Sequence, residues 1–156
     1  MFLICRLLKL LFGFLDSLSF APYRRILTYR DKGKLLSQMN KHRNKMGLTP
    51  LGRVKLLGQI AYGHSKSMAR TKHCDHRGFA RRKRIIETKM GISYIGENCF
   101  MYPSKRYGRR TAHALLRRWL RSPGHRRNIE NSSYKRTGIG IVHRGNYIYA
   151  TQIFTG

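Results

Sequence analysis

The last quarter of the chain restricts the fold most. Gly138-Ile139-Gly140-Ile141-Val142-His143 and the run from Tyr147 to Phe154 flank Arg144-Gly145-Asn146, a short glycine-containing turn between two strand-forming segments. This is a β-hairpin by its own chemistry, and what precedes it is mostly helical. Leu35, Leu36, Met39 and Arg43 recur at helical spacing, and Gly47 is a natural helix stop. Thr49-Pro50 predicts the start of a second helix, with Thr as cap and Pro at the first helical position. Leu51, Val54, Leu57, Ala61, His64 and Met68 would form one face of that helix, which is expected to reach Lys72. A loop with two histidines, His73 to Phe79, leads into a short basic helix. Ile92 to Phe100 reads as a strand, and Tyr102 to Arg110 as a polar loop. Thr111 to Arg121 is a helix with Ala112, Leu115, Leu116 and Trp119 inward, and Ser122-Pro123 opens a helical turn through Ile129. Helices, then strands mixed with helices, then a hairpin predict an α+β domain layered α–β–α on an antiparallel sheet.

One domain of this kind occupies residues 35–156. The segment before it has a different character. In MFLICRLLKLLFGFLD, Arg6, Lys9, Gly13 and Asp16 share one helical stripe while Leu, Ile and Phe fill the rest. Two early cations make a spanning helix costly, since about 20 apolar residues are needed to cross a bilayer. Residues 1–20 therefore read as an amphipathic leader lying in a membrane interface or acting as a signal anchor. A cleaved signal peptide and docking onto the domain itself are the other readings of the leader. Residues 21–34 read as a basic linker.

Charge narrows the partners. Thirty-three Lys plus Arg against six Asp plus Glu leave a net charge of +27, so the chain needs anionic surroundings. An anionic membrane surface, a cell-envelope polymer and nucleic acid all qualify. The cations are spread over Arg81–Arg84, Arg117-Arg118 and Arg126-Arg127 as well as over loops, and no zinc-finger spacing or helix-turn-helix is visible. The three cysteines Cys5, Cys74 and Cys99 are too few for a disulfide scaffold. Cys74 and Cys99 are either a pair in an oxidising compartment or two small buried thiols.

Four segments, in order, resemble the microbial branch of the CAP superfamily, the cysteine-rich secretory, venom-antigen and pathogenesis-related group, whose module is also called the SCP domain. They are Asn40-Lys41-His42-Arg43 with Gly47-Leu48-Thr49-Pro50-Leu51; Ala61-x-x-His64-Ser65-x-x-Met68 with His76-Arg77-Gly78-Phe79-x-x-Arg82; Gly96-Glu97-Asn98; and Trp119-x-x-Ser122-Pro123-Gly124-His125-Arg126-x-Asn128-Ile129. Gly138-Ile139-Gly140 and Tyr149-x-x-Gln152-x-Phe154 follow in the expected place. The last of the four segments is the most specific, because several uncommon residues agree at fixed spacing.

The resemblance implies a three-layer α–β–α sandwich with one central cleft, lined by His76, Glu97 and His125, with Asn98 and Gln152 beside them. A further glutamate found in many eukaryotic members has no counterpart here, as Leu120 to Gly124 contains no acid. Two imidazoles and a carboxylate suit a divalent metal such as zinc with an open coordination position, so His76, His125 and Glu97 are the candidate ligands. Neutral imidazoles are required, so occupancy should fall below about pH 6.5. The alternative is a purely structural network, with His76 and Glu97 as a hydrogen-bonded couple. His64 reads as a core residue, and His42, His113 and His143 have no evident partner. Ser65 near His64 and Ser122 near His125 lack a third residue to orient the base, so no enzyme is read from them. Two functions compete, a membrane-associated or extracellular binding domain for a metal, small or lipid ligand and a polyanion-binding protein, with a metal-dependent hydrolase relying on His76 and His125 as the third reading.

Overall fold

The computed structural model describes residues 21–103 and 111–156. The leader, Cys5 and most of the polar loop after Tyr102 lie outside the described residues. The elements are α1 (Ala21–Lys45), β1 (Gly52–Arg53), α2 (Lys55–Thr71), α3 (Phe79–Met90), β2 (Ile95–Pro103), α4 (Thr111–Arg121), α5 (Pro123–Ile129), β3 (Arg136–Arg144) and β4 (Tyr147–Thr155). The stretch expected as a linker is helical and continuous with the helix that follows it.

The sheet has strand order β1-β3-β4-β2. Its three long strands are antiparallel, as expected, while the two-residue β1 runs parallel to β3. The β3–β4 hairpin closes on Gly145-Asn146, where Gly145 takes the positive φ of 54° that a tight two-residue turn requires. Alternation along the strands divides the core in two. Tyr102, Ile148, Ala150 and Phe154 pack with Leu35, Met39, Leu115, Trp119 and Ile129 from α1, α4 and α5. On the opposite face Ile153 meets Leu57, Ala61 and Ile86 from α2 and α3, and Cys99 and Tyr149 meet Met68 and Ala69. The result is an α–β–α sandwich.

Residues 49–54 are extended instead of helical, and α2 begins only at Lys55. The reason is tertiary. Asn40 clasps Leu51 like a strand partner, donating from Nδ2 to the Leu51 carbonyl (3.1 Å) and accepting from its N–H (2.9 Å). The backbone then bonds β3, Gly52 N to Lys135 O and Val54 N to Thr137 O. These bonds outweigh the capping chemistry of Thr49-Pro50. Three residues further along α1, the fully buried Arg43 donates to the carbonyls of Thr49, Ile129, Asn131 and Tyr134 at 2.6–3.0 Å. One guanidinium thereby ties the end of α1 to the connection that follows it and to the one that follows α5.

Close packing of α2 depends on two glycines. A Cβ on Gly138 would lie 2.1 Å from Gly58 N, and one on Gly140 would lie 2.2 Å from Tyr62 N. Only hydrogen at these positions lets the helix backbone rest directly on β3.

Candidate functional site

The site forms around the edge strand β2. Within β2, Glu97 and Cys99 point to the α2 face, and Asn98 between them points to the other. Beneath α2, His64 and Ser65 are buried; Ser65 Oγ bonds Thr151 Oγ1 at 2.9 Å. The loop after α2 delivers His76, and α3 delivers Arg82. From the other layer α5 brings His125 and Asn128 to the same strand edge.

Glu97 is the anchor, with a side chain only 1% exposed. Arg82 holds both its oxygens, Nε to Oε2 and Nη2 to Oε1, each at 2.7 Å. His76 Nδ1 lies 2.9 Å from Oε1, so that nitrogen is the donor and, in the neutral ring, Nε2 is left with its lone pair. The His76 side chain is 53% exposed. Asn98 Nδ2 donates to the His125 carbonyl, and Asn128 Nδ2 donates to both Asn98 Oδ1 and the Glu97 carbonyl. Burial, followed by the neighbouring charge of His76, lowers the pKa of His125. Its buried Nδ1 has no hydrogen-bond partner among the described residues.

Deeper in, the ligand atoms of His64, Glu97 and Cys99 all lie within 4.8 Å of one another. His64 Nε2 bonds the Asp75 carbonyl at 2.8 Å, as expected of a satisfied core histidine. Burial, reinforced by the Glu97 charge, drives the Cys99 thiol far above its ordinary range. Cys74 is raised by burial and then by Asp75. Both cysteines are free thiols in one apolar cluster, which favours the second of the two sequence readings.

Of the residues expected to line one cleft, His76 and Glu97 are in direct contact, and His125 is near enough to His76 for their charges to interact. Asn98 is fully buried and holds α5 in place. Gln152, opposite Asn98 in the ladder, is also fully buried and donates to Met39 Sδ and Thr137 Oγ1, away from the His76–Glu97 contact. His42, whose partner the sequence does not reveal, pairs with Glu130 at 2.8 Å. Sequence reasoning missed Arg82 as the partner of Glu97, although the His76-x-Gly78-Phe79-x-x-Arg82 string contains it. The closeness of Cys99 to Glu97 was signalled by their spacing of two on one strand.

Chemically, the Glu97 carboxylate is already engaged at both oxygens, so direct cation binding there would require Arg82 to withdraw. The imidazoles are the available donors. Glu97 behind His76 is the arrangement in which a carboxylate fixes the tautomer and orientation of a ligating histidine.

The family model for CAP, the cysteine-rich secretory protein family, matches residues 36–155. The uncharacterized protein YkwD of Bacillus subtilis is 32% identical over 126 residues, covering 79% of this chain and 46% of that protein. The chain thus spans less than half the length of that curated relative. An outer surface protein from Borrelia burgdorferi superposes with a TM-score of 0.71 at 18% identity, over 82% of this chain and 93% of that one. An extracellular protein containing an SCP domain from Bacillus anthracis gives 0.66 at 24% identity, over 81% and 40%. Both structural likenesses speak to the fold.

Proposed function

Because the chain belongs to the cysteine-rich secretory protein (CAP) family, we propose that it is a binding domain working outside the cytoplasm, at or beyond a membrane, that takes a divalent metal ion at His76 and His125. One observation carries the metal reading. The Nδ1–H of His76 is committed to a buried, arginine-clamped carboxylate, while His125 beside it keeps a buried nitrogen with no partner among the described residues. Two imidazoles of that kind suit zinc, and the exposure of His76 leaves room for a further ligand on the ion. Glu97 acts from behind His76, so the expected ligand set of two histidines and a glutamate becomes two histidines backed by a glutamate. The buried His64–Glu97–Cys99 set is the weaker alternative, because it would need the Cys99 thiol deprotonated and Arg82 displaced. The location is supported by the amphipathic leader and by relatives named as outer-surface and extracellular proteins. No helix among the described residues is long and apolar enough to cross a membrane.

Calorimetric titration of the full chain with zinc, in neutral detergent, tests the metal reading. His76→Ala and His125→Ala are each expected to weaken zinc by at least about tenfold, and Glu97→Gln by about 10–100-fold as the loss of a supporting carboxylate. His64→Ala and Cys99→Ala should leave zinc affinity unchanged. Absence of zinc binding overturns the reading, as does the opposite ranking of the variants. Cell fractionation tests the location: a wholly soluble cytoplasmic protein with its N-terminus intact would overturn it.

A further inference from the structure

A second site lies on the outer side of α2, away from Glu97. A groove of about 570 Å³ runs between α2 and the end of the β3–β4 hairpin, with Lys66, Arg70 and Arg144 around it. Gly63, Lys66, Ser67 and Arg70 line it from one helical face, at steps of three or four. At Gly63 a Cβ would meet nothing within 4 Å, so the groove floor is open there. Arg144 is held in place by donating from Nη1 to the Ala69 carbonyl at 3.1 Å. Lys55 continues the exposed stripe, so Lys55, Lys66 and Arg70 span roughly 22 Å of helix at 1.5 Å per residue.

Among the described residues these cations face no acid. Asp75, Glu87, Glu97 and Glu130 are paired with Arg77, Lys83, Arg82 and Arg126 respectively, and Asp31 is buried. No ion pair among the described residues involves Lys66, Arg70 or Arg144. A concave surface with one sign of charge concentrates its field, in contrast to the exposed row Arg117, Arg118 and Arg121 on the outer side of α4.

We propose that this groove docks a flexible phosphodiester polymer that carries no bases. Charge complementarity calls for an anion, and the length of the stripe for a chain of phosphates. A nucleic-acid strand would require flat rings beside the cations, and the groove lining contains no Phe, Tyr or Trp. Its one ring is the imidazole of His143, while Tyr62, exposed on α2 outside the lining, has Lys32 Nζ over its ring at 5.8 Å from the centroid.

The test is binding of the full chain, in neutral detergent, to a glycerol-phosphate oligomer and to an oligothymidylate with the same number of phosphates, between about 50 and 200 mM salt. Glycerol-phosphate affinity should fall steeply with salt. Lys66→Gln/Arg70→Gln should lose about tenfold and flatten the log–log salt slope by about 1.4, near 0.7 per contact. Arg117→Gln/Arg118→Gln, which removes the same charge, should lose clearly less. Arg144→Gln, made alone because it also bonds Ala69, should weaken binding with no change in the melting of α2. Equal losses in the two double variants reduce the effect to net charge and overturn the site. So do failure to bind at the lowest salt, equal competition by inorganic phosphate, and tighter oligothymidylate binding that Tyr62→Ala abolishes.

Discussion

Arg82 and Glu97 form a bidentate pair across α3 and β2, with both bonds at 2.7 Å around a carboxylate that solvent barely reaches. The pair fixes the orientation of the buried carboxylate at the site, and through it the ring of His76. Arg82→Ala leaves that carboxylate buried among His76, His64 and the Cys99 thiol, with no guanidinium against it. A loss of about 3 kcal/mol in unfolding free energy is expected from denaturant titration. Arg82→Lys keeps the charge but loses the planar fork, so it should fall between wild type and alanine. Equal stability of all three proteins would show that the pair is not holding the site.

Arg43 offers a second test of the same physics without a carboxylate. Its guanidinium is fully buried and serves four backbone carbonyls, and burial lowers its pKa. Arg43→Met fills much of the space but removes every donor. Each buried carbonyl left without a partner costs roughly 1–3 kcal/mol, so a loss of at least about 3 kcal/mol is expected. Loss of the ordered 129–134 connection should accompany it, read as faster amide exchange at Tyr134. A stability change below about 1 kcal/mol would mean that relaxation or water replaces the arginine.

How much of this was legible in the residues alone differs from element to element. The hairpin, the stop at Gly47 and the helix after Ser122-Pro123 rest on local chemistry, and each forms where that chemistry places it. Thr49-Pro50 carried an equally local helix-start signal and lost, because Asn40 and β3 claim the next residues' backbone through contacts distant in sequence. The same distance explains the site. His76 and Glu97 could be matched through a resemblance, but Arg82 is placed on Glu97 only by how α3 lies across β2. Gln152 sat in a matching string, and its direction could be known only once its register opposite Asn98 was set. Alternation along β2 does separate Asn98 from Glu97 and Cys99, so which side each faces was in principle available.

The glycines on β3 give a steric prediction. Gly140→Ala would place a methyl 2.2 Å from the backbone nitrogen of Tyr62, a contact with no flexible atom to move aside. A loss of about 3 kcal/mol or more is expected, since α2 must lift from the sheet. Gly63→Ala, on the same helix but with nothing within 4 Å, should instead stabilise by about 0.5–1 kcal/mol through helix propensity. Thermal melts of the two variants should move in opposite directions. Parallel shifts would mean that α2 does not rest on β3 as closely as described.

Acid sensitivity follows from three groups whose folded pKa values are lowered: His125, Glu130 and, through the hydrogen bond from the Arg77 N–H, the partly exposed Asp75. For His125 the cause is burial, then the charge of His76. For Glu130 burial acts upward, but hydrogen bonds from His42 and Arg126 outweigh it and the net shift is downward. A lowered folded pKa means that the unfolded chain binds more protons, so stability rises with pH across the interval between the two values. The His125 contribution is fully present above the ordinary imidazole value of about 6.5 and declines as pH falls through it. The Glu130 contribution holds to about pH 4.5 and then declines. Denaturant midpoints should therefore be flat from about pH 8 to 7, slope downward below about 6.5, and steepen below about 4.5. His125→Gln should remove the upper slope and His42→Ala weaken the lower one. An upper slope that survives His125→Gln would assign the proton uptake to another histidine.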